Sequence, residues 1–170
     1  MATLKEHRKA LKENAQAYTT DFPRLRTTAV YHIKRCGFSR VTISRCGHLV
    51  DDFVNMIFDA QNRQPFFHID SDLPFCWNSP KDWGKNYVKY EWGHLRSVNQ
   101  NNDVHQLENL CLQSARCNQH IQTSMDIIEV IEWVKGSIIE TRILNVLERR
   151  KQMFASPEWQ TLLKELEPFK

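Results

Sequence analysis

Residues 87–123 read YVKYEWGHLRSVNQNNDVHQLENLCLQSARCNQHIQT, and this stretch predicts the centre of the fold. Its first part, Tyr87 to His94, is rich in aromatic and β-branched residues, which favours a strand. The polar segment Ser97 to Asp103 has several residues that form their own backbone turns, so we expect an exposed loop. The apolar segment Leu107 to Leu112 predicts a returning strand, and an amphipathic run that begins near Ser114 predicts a helix. The expected order is strand, loop, strand, helix.

The predicted first strand presents two different sets of side chains, because residues two apart in a strand share a face. Glu91 and Gly93 lie on one face, and Trp92 and His94 lie on the other. Gly93 would let another backbone, or a phosphate, come close to His94. Asn118 falls in the first turns of the predicted helix. A neutral imidazole near such an oxygen ligand suits phosphodiester hydrolysis, because Mg²⁺ takes few protein ligands and an imidazole removes a proton from water near neutral pH.

The same stretch resembles the ββα-metal finger of the HNH superfamily of nucleases. Glu91-Trp92-Gly93-His94 is similar to the Asp-Arg-Gly-His signature of the non-specific DNA/RNA nuclease branch. Asn109-Leu110 matches the Asn-Leu of the middle element, and Cys117-Asn118 matches the pair that opens the helix, at the nine-residue spacing of that family. The resemblance implies that His94 is the general base, that Asn109 braces the hairpin loop that positions it, and that Asn118 binds the metal.

This chain departs from the common HNH pattern just before the base. Most HNH nucleases carry Asp or His there as a second metal ligand, and this chain has Gly93. Glu91 shares the strand face of Gly93 and could substitute for that ligand, directly or through water. Asp126, eight residues along the helix from Asn118, could hold a metal-bound water.

The expected ion is Mg²⁺, or Mn²⁺, and no structural zinc is expected. Ser114 stands where a zinc-stapled finger would have the cysteine partner of Cys117. Arg96 and Arg116 flank the predicted site and are candidates to hold the scissile or adjacent phosphates.

The positive charge of the chain is concentrated towards its N-terminus. Residues 1–48 contain ten Lys and Arg against three acidic residues, a net charge of +7, so the other 122 residues carry −4 within the total of +3. A basic region of this kind is typical of nucleic-acid contacts, because phosphate neutralisation supplies most of the non-specific affinity. A solvated basic helix face is the alternative.

Two helices are predicted in this region, Leu4 to Ala17 and about Arg24 to Cys36, with a break at Asp21-Phe22-Pro23. Cys36 to Arg45 then resembles the turn and recognition helix of helix-turn-helix DNA readers, with Gly37 in the turn. In that interpretation Phe38 and Ile43 point inward, and the residues free to contact phosphates or bases are Ser39, Arg40, Thr42, Ser44 and Arg45.

Two residues oppose the helix-turn-helix interpretation. Ile33 replaces the small residue usual in the first helix, and His32 stands where an apolar residue is expected. A loop or strand that carries basic residues is the alternative.

The remaining segments predict a mainly helical surround. Leu49 to Ala60 has the broad apolar face of a core helix, and residues 61–82 form an irregular aromatic segment. Met125 to Met153 is predicted helical with a break at Gly136, and a last helix begins at Ser156-Pro157. The apolar residues expected to be buried after the finger are Ile127, Ile128, Ile131, Trp133, Val134, Ile138, Ile139, Ile143, Leu144 and Leu147. The last helix would close the core or meet a second subunit through Trp159, Leu162, Leu163 and Leu166.

We expect an intracellular protein. No apolar run is long enough to span a bilayer, and no secretory signal is visible. Five cysteines, an odd number without framework spacing, indicate a reducing compartment. The cytoplasm is expected, with the nucleus or the interior of a host cell as alternatives.

The sequence therefore predicts an α+β, mainly helical fold with a ββα-metal finger embedded between N-terminal and C-terminal helices. The expected regions are 1–62, basic and helical, 63–123, the aromatic segment and nuclease core, and 124–170, the C-terminal helices. The resemblance implies a Mg²⁺-dependent endonuclease that leaves a 5′-phosphate and a 3′-hydroxyl. Double-stranded DNA is the expected substrate, in a restriction-like or homing-like role. The alternatives are a nucleic-acid-binding module with a degenerate finger, and an RNA or structure-selective nuclease.

Overall fold

The computed structural model describes residues 17–66, 89–97, 105–122 and 124–170 of the chain. Within these residues the helices are α1 Ala17–Arg35, α2 Ile43–Ala60, α3 Ile127–Trp133, α4 Ile138–Phe154 and α5 Pro157–Leu166, and the strands are β1 Tyr90–His94 and β2 Leu110–Ser114. A 3-10 turn Leu107–Asn109 precedes β2, a π-helix Cys117–Ile121 follows it, and a 3-10 turn Glu167–Phe169 follows α5. The described chain is mainly helical with a two-stranded antiparallel sheet, which confirms the α+β class.

Three predicted features lie wholly or mostly outside the described residues. They are the first helix, predicted over Leu4 to Ala17, the aromatic segment beyond Phe66, and the loop beyond Ser97. β1 and β2 are observed where the sequence predicts two strands, and a five-residue π-helix stands where it predicts the amphipathic helix of the finger.

The hairpin of β1 and β2 is buried on both faces. Trp92 lies opposite Leu112 and Gly93 lies opposite Cys111, and directly opposed side chains point to the same face. The Trp92 face packs on α1, α2 and α5, and the Cys111 face packs on the π-helix, α3 and α4. The sheet therefore lies between two apolar cores, the first core against its Trp92 face and the second core against its Cys111 face.

Aromatic side chains link the first core to the hairpin. Phe53 of α2 stacks on Trp92 with ring centroids 5.4 Å apart, and Trp159 of α5 lies 6.2 Å from Phe53. Trp92 Nε1 donates to the Leu25 carbonyl of α1 at 3.1 Å, so its polar atom is satisfied. Each such buried aromatic side chain contributes about 1.5–3 kcal/mol by its removal from water.

The predicted last helix is confirmed. Ser156 accepts a hydrogen bond from Trp159 N at 3.2 Å and caps α5, and Pro157 occupies the first turn. Trp159, Leu162 and Leu166 are buried in the first core. Gly136, with φ of +78°, forms the expected break between α3 and α4, because glycine adopts positive φ without steric cost.

The predicted break at Asp21-Phe22-Pro23 is wrong, because α1 continues through Pro23. A proline in a helix removes one intrahelical hydrogen bond. Leu25, Ala29 and Ile33, at helical spacing, are fully buried, and Phe22 packs partly buried against the same core, so α1 contacts the core on both sides of Pro23.

The segment after α1 is a turn followed by the start of α2. Gly37 has φ of +98°, Phe38 is buried, and Ile43 packs partly buried against the first core, all as expected. Cys46 has φ of −144° and bends α2 after its first turn. Beyond that bend, α2 is the core helix predicted over Leu49 to Ala60.

Four apolar residues predicted to be buried are exposed. Ile128 is 71% exposed, Trp133 59%, Ile138 65% and Leu144 47%. Each of the helices α3 and α4 packs only one face against the second core, and these four side chains lie outside those faces. Among the described residues, no helix has both the length and the apolar character needed to cross a membrane.

Gln61 covers the outer edge of β2 with its side-chain amide. Its Nε2 donates to Leu112 O at 2.8 Å and its Oε1 accepts from Leu112 N at 2.9 Å, so the amide takes the place of a neighbouring strand. Phe66 N donates to the same carbonyl at 2.8 Å. A strand edge covered in this way is closed to pairing with other chains.

Gln61→Met should destabilise the fold, since methionine has a similar length but cannot make these hydrogen bonds. The Leu112 N–H would be buried without a partner, and we expect the free energy of unfolding to fall by about 1–3 kcal/mol. Urea denaturation measures the loss, with the exposed Gln64→Met as the matched control. Equal stability of the two variants would contradict this role of Gln61.

Candidate active site

His94 ends β1 and points to the α1 side of the hairpin. Its ring centroid lies 5.8 Å from that of His32 on α1 and 6.2 Å from that of His105. Trp92 lies on the same side, 6.2 Å from His32. The prediction that Trp92 and His94 share a face is confirmed, and His94 belongs to a group of three imidazoles.

Burial keeps two of these imidazoles neutral. It is the main cause that lowers the pKa of His94 below 6.5, and His105 and Arg35 lower it further. Burial also lowers the pKa of His32 to about 4, with smaller effects from His94, Arg35 and His105. A neutral His94 has a nitrogen lone pair that can accept a proton at neutral pH.

Asn109 joins the start of β2 to the residues that follow His94. Its Oδ1 accepts from Arg96 N at 2.8 Å, and its Nδ2 donates to Arg96 O at 3.2 Å. Leu95 N donates to the Asn109 carbonyl at 3.0 Å. Asn109 lies in the 3-10 turn before β2, not on the strand where the sequence predicts it. The buried Asn109 side chain fixes the backbone directly after His94.

Asn118 and Glu91 meet on the opposite face of the hairpin. Asn118 Nδ2 donates to Glu91 Oε2 at 3.1 Å. Because the Asn118 nitrogen faces Glu91, the Asn118 Oδ1 atom faces Gly93. It lies 3.0 Å from the position that a Cβ atom would take at Gly93. Glu91 Oε1 accepts from Gln119 Nε2 at 2.6 Å and lies 3.5 Å from Lys89 Nζ. Donors therefore surround Glu91, and Asn118 presents an oxygen in a defined direction.

Gly93 is enclosed by side chains. A Cβ at this position would lie 2.9 Å from Gln113 Cδ, and Gln113 is itself fully buried and donates to Gln122. The missing side chain permits the approach of Gln113 and Asn118, and this face has no space for the phosphate that the sequence suggested. The Asp or His that most HNH nucleases carry here would not fit without repacking.

Asp126 holds the segment after His94 from the other side. It lies at the N-cap of α3 and accepts from Ser97 N, and Ile127 N donates to Leu95 O at 2.8 Å. Ser97, predicted in an exposed loop, is buried by this contact. The structure thus uses Asp126 to position backbone.

The two arginines predicted to bind phosphate lie on the connections around this site. Arg96 is exposed, two residues after His94. Arg116 immediately precedes the π-helix that carries Asn118.

The residues predicted to read DNA, Arg40, Thr42, Ser44 and Arg45, lie together at the turn between α1 and α2. Arg40 Nε donates to the Lys170 carbonyl at 2.6 Å, so its guanidinium is held against the C-terminus. Thr42 Oγ1 and Ser44 Oγ are 3.2 Å apart, and Ser44 and Arg45 are exposed.

Asn118 and Glu91 are the side chains that could hold a metal ion. Asn118 contacts the Glu91 carboxylate through its amide nitrogen and presents its own oxygen beside Gly93, and Mg²⁺ needs few protein ligands because it keeps several waters. In the part of the chain that the structure describes, no group of three or more His, Cys, Asp and Glu could hold a metal ion. A Mg²⁺ or Mn²⁺ ion held at Asn118 would therefore have to keep most of its waters.

Sequence reasoning missed His32 and Arg35 as neighbours of His94. Both come from α1, about sixty residues earlier in the chain, and α1 packs against β1. One signal was visible, since His32 stands at a position where an apolar residue is expected.

No protein-family model, curated protein or solved structure matches this chain. Function is therefore inferred from these side chains and their geometry.

The buried His32 should make the stability of the fold depend on pH. An unfolded imidazole binds a proton near pH 6.5, whereas folded His32 binds one only near pH 4. Between these values the unfolded state binds more protons, so the free energy of unfolding falls as the pH falls. Urea denaturation should show a smaller fall for His32→Gln than for the wild type. An identical pH dependence in the two proteins would contradict a neutral, buried His32.

Asn109→Ala should loosen the segment after His94, because it removes both hydrogen bonds to Arg96. We expect a loss of about 1–3 kcal/mol in the free energy of unfolding and faster hydrogen exchange at the Arg96 amide. Asn109→Asp keeps the acceptor for that amide and should lose less. Unchanged exchange of the Arg96 amide in Asn109→Ala would show that Asn109 does not brace this segment.

Proposed function

We propose that this chain is a metal-dependent DNA endonuclease in which a ββα-metal finger hydrolyses phosphodiester bonds. The observation that carries the proposal is that Asn109 and Asn118, distant from His94 in sequence, both contact the chain within two residues of His94, Asn118 from the face opposite to the His94 ring. Asn109 holds the backbone after His94, and Asn118 lies against Gly93, the residue before His94. These are the positions on which the resemblance to HNH nucleases rests.

His94 is the general base in this proposal. Its low pKa leaves the imidazole unprotonated, so it can take a proton from the water that attacks phosphorus. The hydrogen bonds from Asn109 to Arg96 limit movement of the backbone that carries the ring. In-line attack would leave a 5′-phosphate and a 3′-hydroxyl.

Asn118 would hold Mg²⁺ or Mn²⁺ through its side-chain oxygen, and Glu91 would contribute through a water or through its contact with Asn118. The ion, when bound, supplies positive charge that stabilises the leaving oxygen. Glu91 accepts the amide N–H of Asn118 and thereby keeps Asn118 Oδ1 turned away from itself. Glu91 therefore orients Asn118. This contact supports a positioning role in which Glu91 acts on the metal site through Asn118.

The distribution of charge supports duplex DNA as the substrate. The net charge of +7 over residues 1–48 suits a polyanion, and Arg96 and Arg116 stand next to the elements that carry His94 and Asn118. Ser44 and Arg45 are exposed and available for further contacts at the α1–α2 turn. The dedicated basic region favours a restriction-like or homing-like enzyme. The odd number of five cysteines, without framework spacing, supports a reducing compartment such as the cytoplasm.

A nucleic-acid-binding module with a degenerate finger is the second candidate. It is favoured by Gly93, which supplies no second metal ligand directly before His94. An RNA or structure-selective nuclease would use the same finger and differ only in substrate.

Cleavage of plasmid DNA by the purified protein tests the proposal. We expect cutting with Mg²⁺ that EDTA abolishes and that falls about 10²- to 10⁴-fold in His94→Ala, the usual cost of losing a general base. His48→Ala, an exposed histidine of α2, is the matched control and should keep the wild-type rate. Asn118→Ala should raise the Mg²⁺ concentration required for half-maximal rate.

Cutting that persists unchanged in His94→Ala, or no metal-dependent cutting of DNA or RNA, would exclude the catalytic role and favour the binding module. Faster cutting of RNA, single-stranded or branched substrates than of duplex DNA would favour the structure-selective or RNA nuclease. Discrete bands indicate a sequence-specific enzyme, and a smear indicates a non-specific one.

A further inference from the structure

Arg35, at the C-terminal end of α1, reaches the space beside His94 from outside the hairpin. Its Nη2 lies 3.0 Å from His105 Nε2. A guanidinium only donates hydrogen bonds, so Nε2 of His105 must be the acceptor. With Nε2 accepting, the ring hydrogen that His105 can still donate is on Nδ1. The two side chains together offer several N–H donors at the exposed edge of the imidazole group.

Tyr31 holds Arg35 in place. Arg35 Nη1 donates to Tyr31 Oη at 3.2 Å, and the guanidinium carbon lies 5.6 Å from the centre of the Tyr31 ring, within cation–π distance. Tyr31 is one helical turn before Arg35, and both are exposed. The guanidinium is therefore positioned before any ligand arrives and remains accessible to one.

The charge of Arg35 is not neutralised within the described part of the chain. No ion pair joins it to a described carboxylate there, in contrast to Arg26 with Asp51 and Arg63 with Asp59. An exposed, oriented guanidinium beside a second N–H donor is the arrangement that recognises a phosphate, because its planar fork matches two phosphate oxygens.

We propose that Arg35 and His105 form a phosphate-binding pair that holds a DNA phosphodiester beside His94. This proposal rests on the nuclease function above for the identity of the ligand as DNA. The pair adds residues from α1 and from the connection before β2 to a site otherwise built from the hairpin and the π-helix. The His105 ring, 6.2 Å from that of His94, sets the distance between the bound phosphate and the base.

Binding of inorganic phosphate tests the pair independently of any cleavage. The His105 ring signals are followed by NMR during titration with phosphate, with chloride at matched ionic strength as the control for screening. We expect a phosphate-dependent shift in the wild type and in Lys34→Ala, and its loss in Arg35→Ala. Lys34 is the matched control because it is the exposed neighbour of Arg35 on α1 and its removal changes the charge equally.

A DNA duplex tests whether the ligand is a phosphodiester. Binding is measured by fluorescence anisotropy in EDTA, and cleavage is measured with Mg²⁺. Arg35→Ala should lower kcat/KM about 10- to 100-fold, the effect of losing a hydrogen bond to a charged group, and should bind duplex more weakly than Lys34→Ala. Arg35→Lys should recover part of the loss, because it restores the charge without the fork.

The outcomes separate this pair from the nuclease function. The pair would be overturned, even if the protein cuts DNA, by two results together. Phosphate would shift the His105 NMR signals no more than chloride does, and Arg35→Ala would bind duplex DNA as tightly as Lys34→Ala. A phosphate shift without any effect of Arg35→Ala on duplex binding would overturn DNA as its ligand. A wild-type protein that cuts nothing but loses duplex binding in Arg35→Ala would keep the pair and refute the nuclease.

Discussion

The antiparallel pairing of β1 with β2 is the interaction on which the rest of the structure depends. Adjacent residues of β1 face opposite sides of the sheet. Trp92 stacks on Phe53 of α2, whereas Gly93 contacts the Gln113 side chain on the other side. A slip of one residue would exchange these faces and place an indole where there is no room for a Cβ. The register therefore determines that His94 points to α1 and that Asn118 lies against the strand from the opposite side.

A buried arginine holds the turn that carries Asn109. Arg150 of α4 is 2% exposed, and its Nη2 donates to the carbonyls of Glu108 and Leu110, the residues on either side of Asn109. Trp159 Nε1 donates to the Glu108 carboxylate at 3.2 Å. Burial lowers the pKa of Arg150 to about 10, so it stays charged at neutral pH, and charged donors strengthen the bonds to those carbonyls. The C-terminal helices thus fix Asn109, and through it the backbone after His94.

Features with a local physical cause could be predicted from the sequence. Alternation of faces in β1, positive φ at Gly136 and the Ser156 cap each depend on a few neighbouring residues, and each is observed. The contact between Asn109 and Arg96 could be expected only through the family resemblance, because thirteen residues separate them. The hydrogen bonds themselves are observed, while the role of Asn109 in a nuclease, the metal and the reaction stay predictions.

Features that depend on packing between distant elements could not be predicted. Pro23 is a local signal for a break, but tertiary burial of the α1 stripe decides that the helix continues. Ile128 and Trp133 belong to an apolar-rich stretch, and only the direction of packing shows which side chains are left exposed. His32 lies beside His94 because α1 packs against β1, and the only sign of this in the sequence is a histidine at a position where an apolar residue is expected.

The surroundings of His94 impose opposite demands on a general base. Burial and the nearby positive charge of Arg35 keep its imidazole unprotonated, but they also make it a weaker base. A phosphate bound to Arg35 would neutralise part of that charge, and the proton affinity of His94 would then rise when the substrate is present. In the proposed nuclease, where the ideal catalytic pKa lies near the working pH, this change would move His94 toward the more effective range only in the complex. The same guanidinium would therefore attract the substrate and, once the substrate covers it, strengthen the base that acts on it.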